Sequence, residues 1–82
     1  MDVIFQSGDL VIDADTGDIG LLLERFDVLE HAPEQKLRGR VYAWDIIWTG
    51  KNVTNLNKYT PYTEVGLNKC IKDGILLYVS SN

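Results

Sequence analysis

Residues 8–28, "GDLVIDADTGDIGLLLERFDV", hold two apolar runs on either side of a short polar interval. In the first run Leu10 and Ile12 alternate with Val11 and Asp13; the second, Ile19 to Phe26, is long, β-branched and leucine-rich. Alternation at period two marks a strand, because successive side chains point to opposite faces. Asp15-Thr16-Gly17-Asp18 lies between the runs, and Gly17 is free to take the positive φ that hairpin connections demand. The stretch predicts a β-hairpin and, with it, an antiparallel β fold.

Three acids, Asp13, Asp15 and Asp18, crowd this turn and raise the question of a cation site. With Asp13 as position one of a calcium loop, Gly17 falls at five, Asp18 at six and Glu24 at twelve. An EF-hand wants the acid at five and glycine at six, between two helices. Here the glycine and acid are transposed and the flanks alternate like strands, so the block reads as a turn and no metal site is assigned.

Downstream, "LEHAPEQKLRGR" (29–40) mixes charge, Pro33 and Gly39 without either periodicity and is expected to be an exposed loop. "VYAWDIIW" (41–48) is the strongest strand. Its alternation puts Tyr42, Trp44, Ile46 and Trp48 on one face and Val41, Ala43, Asp45 and Ile47 on the other. Burying the second face would bury Asp45, so the aromatic face is expected to look inward. "TGKNVTN" reverses the chain, and "KYTPYT" (58–63) follows as a short strand that Pro61 confines to an edge or a bulge. Thr63 is placed to cap a helical turn in which Leu67, Cys70 and Ile71 share a face and Gly74 ends the run; Ile75 to Val79 is the last strand.

The chain has 82 residues, enough for one domain over 1–82 with a single small core. With 45% hydrophobic and 24% charged residues it is an ordinary globular composition. No apolar run approaches the ~20 residues of a membrane span, and the start lacks the pattern of a secretion signal, so a cytosolic protein is expected. Cys70 is the one cysteine, read as a small apolar residue; the Asn52-Val53-Thr54 glycosylation pattern is read as chance. Net charge is −4, which argues against a nucleic-acid partner. The charge is uneven: residues 1–35 hold nine acids against Arg25 alone, whereas 36–82 hold seven bases against Asp45, Glu64 and Asp73. A bipolar surface of this kind suits docking to a protein or to further copies of the chain.

Several short strands, tight turns and one helical turn before the last strand predict a small, strongly bent antiparallel barrel of about five strands. The order Gly8-Asp9-Leu10-Val11, Thr16-Gly17-Asp18-Ile19-Gly20, Trp44-Asp45-Ile46-Ile47-Trp48, a tyrosine-containing segment and a last apolar strand resembles the small SH3-like barrel proteins of tailed bacteriophages, including marine ones. The resemblance covers roughly residues 8–79. It implies that Gly8–Val11 opens the first strand, that Thr16–Gly20 forms the first turn, and that the chain is viral, acting in the host cytoplasm or in the virion. Members of this group are mostly of unknown function. This chain differs in a longer loop after Leu29 and a more helical segment after Thr63.

No catalytic residue or cofactor is assigned. His31, the one histidine, has no serine or second thiol near it in sequence, so a nucleophile pair such as Cys70 with His31 would have to assemble in space; no pair of acids is marked as facing a cleft, and so small a barrel offers little concavity. The aromatics are more informative, because six of them, Tyr42, Trp44, Trp48, Tyr59, Tyr62 and Tyr78, exceed what so small a core needs. Trp48, Tyr59, Pro61 and Tyr62 are the candidate binding residues for an extended or proline-rich peptide. The alternative places both tryptophans in the core and the tyrosines as half-buried strand residues. Lys36, Arg38 and Arg40 recur at every second position and form a possible basic patch for single-stranded nucleic acid. The expected function is a non-catalytic protein-interaction module with a host or viral partner; a small virion component of capsid or tail is the second reading.

Overall fold

A computed structural model describes residues 2–31 and 40–82. The predicted hairpin is present: β1 (Leu10–Asp13) pairs antiparallel with β2 (Ile19–Asp27), and Gly17 takes a φ of 80° in the turn. A single helical turn, α1 (Val28–His31), follows where the loop was expected to begin. The Asp27 carboxylate explains it, accepting a hydrogen bond from the Leu29 amide at 2.9 Å at the start of that turn. Lys36 and Arg38 lie outside the described residues. The chain continues as β3 (Tyr42–Thr49), β4 (Tyr62–Thr63), α2 (Glu64–Lys72) and β5 (Leu76–Val79).

The five strands form one antiparallel sheet in the order β4-β3-β2-β1-β5. It is mainly β and curls into an SH3-like half-barrel with one short helix before the last strand. Two features set the curl. β2 runs through both halves of the sheet and carries a bulge between Leu22 and Glu24, which bends a strand and increases its twist. The outer strands β4 and β5 do not pair; α2 packs against both and spans the seam between them. Proline confines the region before α2 as expected: Tyr59 makes an isolated bridge to Ile47, the ladder lapses at Pro61, and only Tyr62 and Thr63 resume it.

Phe5, Val11, Leu22, Trp44, Ile46, Leu67 and Leu76 fill the interior. The aromatic face of β3 does look inward: Trp44 and Ile46 are buried and Trp48 packs against the cluster, while Asp45 is exposed. Cys70 is half-buried against the same core, on the inner side of α2. The Thr63 hydroxyl caps α2 by accepting from the Gly66 amide at 3.0 Å, and Gly74 has the positive φ expected just past its end. The N-terminal lead also belongs to the core. Phe5 meets the Tyr78 ring edge-on, and the Val3 amide donates to the Asn68 side chain on α2.

Candidate functional site

The acidic block resolves first into a turn. One oxygen of Asp13 accepts from the amides of Asp15 and Thr16, and the Asp13 and Gly17 amides close the hairpin against Asp18 and Asp13 carbonyls. Among the described residues no group of three or more His, Cys, Asp or Glu side chains gathers closely enough to hold a metal ion.

The same turn forms one wall of a surface cleft of about 270 Å³. Asp13 and Asp18 face Asn57 and Thr60 of the β3–β4 connection across it, and Trp48 and Tyr62 supply aromatic surface. Asn52 and Val53 complete the lining. The Trp48 and Tyr62 rings stand 6.0 Å apart, tilted by 53°, with their inner edges on the core. Trp48 reaches this position because Gly20 lies opposite it on β2: a Cβ there would meet the indole at 3.1 Å and the Ile46 side chain at 2.8 Å. Gly50 plays the same part for Asp18, whose carboxylate lies where a Gly50 side chain would begin.

The opposite wall is braced by its own hydrogen bonds. The Asn57 side chain accepts from the Thr54 amide at 2.7 Å, and the Thr60 hydroxyl donates to the Asn57 carbonyl at 2.8 Å. Backbone bonds Trp48 N to Lys58 O and Thr60 N to Ile46 O tie the far end of this connection to β3. The cleft is therefore held by a strand and two anchored turns. No hydrogen bond or ion pair within the described residues engages the Asp18 carboxylate.

The structure brings Trp48 and Tyr62 together and separates them from Tyr59. Residues directly opposite in an antiparallel pair share a face, so Tyr59 lies with Ile47 on the outside of the sheet, 65% exposed. Pro61 is exposed and does not line the cleft. Asp13, Asp18, Asn57 and Thr60 were missed as partners of Trp48 and Tyr62. Their sequence signals, a hairpin turn and a chain reversal, carry no indication that the two turns meet.

Of the basic triplet only Arg40 is described. Its guanidinium is 3.7 Å from the Asp27 carboxylate and 3.5 Å from the Tyr42 hydroxyl. Nearby, Glu64 at the head of α2 accepts from both the Arg25 guanidinium and the Trp44 indole N–H, and Arg25 lies over the Tyr42 ring at 3.7 Å. The Glu64 hydrogen bond holds the Arg25 guanidinium above its ordinary pKa, against the smaller opposing effect of desolvation. This cluster staples α2 to β2 and β3.

A second surface is apolar. Leu10 and Ile12 of β1 pair with Leu21 and Ile19 on one side and with Val79 and Leu77 on the other. All six face outward, since their neighbours Val11 and Leu22 are buried, and Leu77 and Val79 remain 53% and 44% exposed. Ile47, opposite Leu21, extends the patch towards Tyr59. Among the described residues no helix is long and apolar enough to cross a membrane. No family, curated protein or solved structure matches the chain.

Proposed function

We propose that this chain is a non-catalytic protein-interaction module, related to the small SH3-like barrel proteins of tailed bacteriophages that its sequence resembles, and that it binds an extended segment of a viral or host protein. The observation that carries this reading is the cleft between the hairpin turn and the β3–β4 connection, where two aromatic rings rooted in the core open onto polar groups in anchored turns. Rigid aromatic surface of this kind binds peptide at little entropic cost. At about 270 Å³ the cleft is below the ~300–1,000 Å³ of most small-molecule sites and suits one or two side chains of a longer ligand.

The test is selection of a random dodecapeptide library on the immobilised chain, followed by amide and indole NMR titration with the best binder. Expected is a shift pattern centred on the Trp48 indole, Tyr62, Thr60 and Asn57. Failure to enrich any peptide, or shifts confined to the far side of the sheet, rejects the reading.

The outer apolar face favours a second reading, a small virion component that docks on capsid or tail. A sheet face bearing Leu10, Ile12, Ile19, Leu21, Leu77 and Val79 is of the kind that interfaces cover. Sedimentation velocity at micromolar concentration separates the two. An oligomer abolished by Leu77→Lys favours the structural role, and a monomer that binds peptide favours the module. Nucleic-acid binding ranks third, tested by salt-dependent retention on single-stranded DNA.

A further inference from the structure

We propose that the cleft takes a cationic side chain, the guanidinium of arginine or the ammonium of lysine, from the bound peptide, held between the Trp48 and Tyr62 rings and the Asp18 carboxylate. This inference rests on the interaction-module reading and names what that module recognises.

Three observations carry it. First, both carboxylates in the cleft come from the hairpin turn, and the carboxylate of half-buried Asp18 makes no hydrogen bond or ion pair within the described residues. Asp13 spends one oxygen on the turn amides; none of its bonds engages the other. Neither acid is neutralised by Arg25, Arg40 or Lys69, whose ion pairs lie with Glu64, Asp27 and Asp73. Second, the remaining surface is aromatic, and the faces of Trp and Tyr attract a cation that gives up part of its water. Third, the Thr60 hydroxyl sits at the same cleft and, while it donates to the Asn57 carbonyl, its oxygen can still accept from an N–H donor; the Asn57 side-chain oxygen is already taken by the Thr54 amide and hydroxyl.

Competing ligands fit less well. A phosphate or carboxylate would meet two acids and no base among the described residues of the lining. Among the described residues a bare divalent ion would find two carboxylates, one of them occupied by backbone amides, where hard cations take six or more oxygens. A purely apolar side chain would strip water from Asp18 and return no hydrogen bond. A long stem with a charged head satisfies both halves, its methylenes against the rings and its head at the acid. The chain's net charge of −4 adds long-range attraction for a basic segment.

The test uses the peptides enriched by library selection. Expected is an arginine or lysine in every strong binder, a loss of at least tenfold in affinity when that residue becomes glutamine or citrulline, and a loss of at least fivefold for Asp18→Asn with an unchanged thermal midpoint. Binding to the unaltered protein should also weaken between 50 and 500 mM salt, a readout that does not depend on the variant folding. If the peptides bind at Trp48 and Tyr62 but tolerate removal of their charge, of Asp18 and of low salt, the cationic inference fails and the module reading stands. If no peptide perturbs Trp48 or Tyr62, both fail.

Discussion

A buried carboxylate destabilises a fold unless donors replace the water it gives up, and Asp9, only 1% exposed, has three. The Tyr78 hydroxyl donates at 2.7 Å, the Gln6 amide at 2.8 Å and the Ser81 amide at 2.9 Å, so one side chain joins the N-terminal lead, the last strand and the C-terminus. Burial alone would raise the Asp9 pKa; the Tyr78 hydroxyl and the Ser81 and Gln6 amides together outweigh it and hold the carboxyl below its ordinary value. The same bond to Asp9, with desolvation second, pushes the Tyr78 phenol up. A lowered carboxylate stabilises the fold fully above the unfolded-state pKa near 3.9 and loses that contribution as pH falls through the folded value. A raised phenol does the reverse, contributing below about pH 10 and losing it as pH climbs through the folded value. Stability should therefore fall at both ends of a urea-midpoint profile, with the acid limb reduced in Asp9→Asn and the alkaline limb in Tyr78→Phe. Asp9→Ala strands three donors and should cost about 3 kcal/mol or more by equilibrium urea unfolding; a loss below 1 kcal/mol would show that water reaches them. Gly20 is constrained by space instead. Gly20→Ala sets a methyl 2.8 Å from Ile46 and 3.1 Å from the indole, and should cost about 1–3 kcal/mol and move the Trp48 indole resonance. An unchanged indole signal would mean that Trp48 does not lie over Gly20 in solution.

Elements were legible where a local pattern decides them. β1 runs over the expected Leu10–Asp13, and β2 extends one residue past the expected Phe26, because hairpin periodicity and turn chemistry are properties of adjacent residues. The cap on α2 was legible for the same reason, and Thr63→Ala should lower stability by about 1 kcal/mol, with amide exchange accelerated in the first turn of α2. An equal effect throughout the sheet would assign Thr63 to global packing. The β2 bulge was not legible. "LLLER" reads as an uninterrupted run, and the bulge arises from its partners: the Gly8 amide bonds to Leu22 O, the Ser7 hydroxyl to Leu23 O, and Leu23 is passed over in the pairing while Leu22 and Glu24 face the adjacent β3 residues Ile46 and Asp45. Just past the bulge Glu24 and Asp45 stand directly opposite, a like-charged pair that a sheet tolerates at some cost. Glu24→Lys replaces repulsion with attraction and should raise the thermal midpoint at low salt by the equivalent of about 0.2–1 kcal/mol, with the gain shrinking at high salt. A decrease would indicate that Glu24 has a favourable role at the bulge that register alone does not express.

At the scale of the molecule, closure is what the sequence left unread. The sheet leaves β4 and β5 unpaired, and two segments complete the enclosure: α2 across the seam and the lead before β1. The helix announces itself through its cap and its Leu67, Cys70 and Ile71 face. The lead has no periodicity; Phe5 gains its place by joining the core cluster and meeting the Tyr78 ring, and Val3 by packing on that cluster with its amide bonded to Asn68. The cleft is the same kind of feature. Trp48 and Tyr62 could be singled out by residue type, but the curl of the sheet is what sets the hairpin acids beside them and turns Tyr59 away. If the lead is part of the closed unit, removing its anchor should weaken the whole cooperatively. Phe5→Ala should cost about 3–5 kcal/mol, a large share of the roughly 4–12 kcal/mol expected for a domain this size. The urea midpoint should drop while the slope of the transition stays the same, because the surface exposed on unfolding barely changes. Exchange protection should fall in β1, β5 and α2 together. A loss under 1 kcal/mol, or a transition in which the lead melts before the sheet, would mean that the barrel closes without Phe5 and that α2 alone seals the seam.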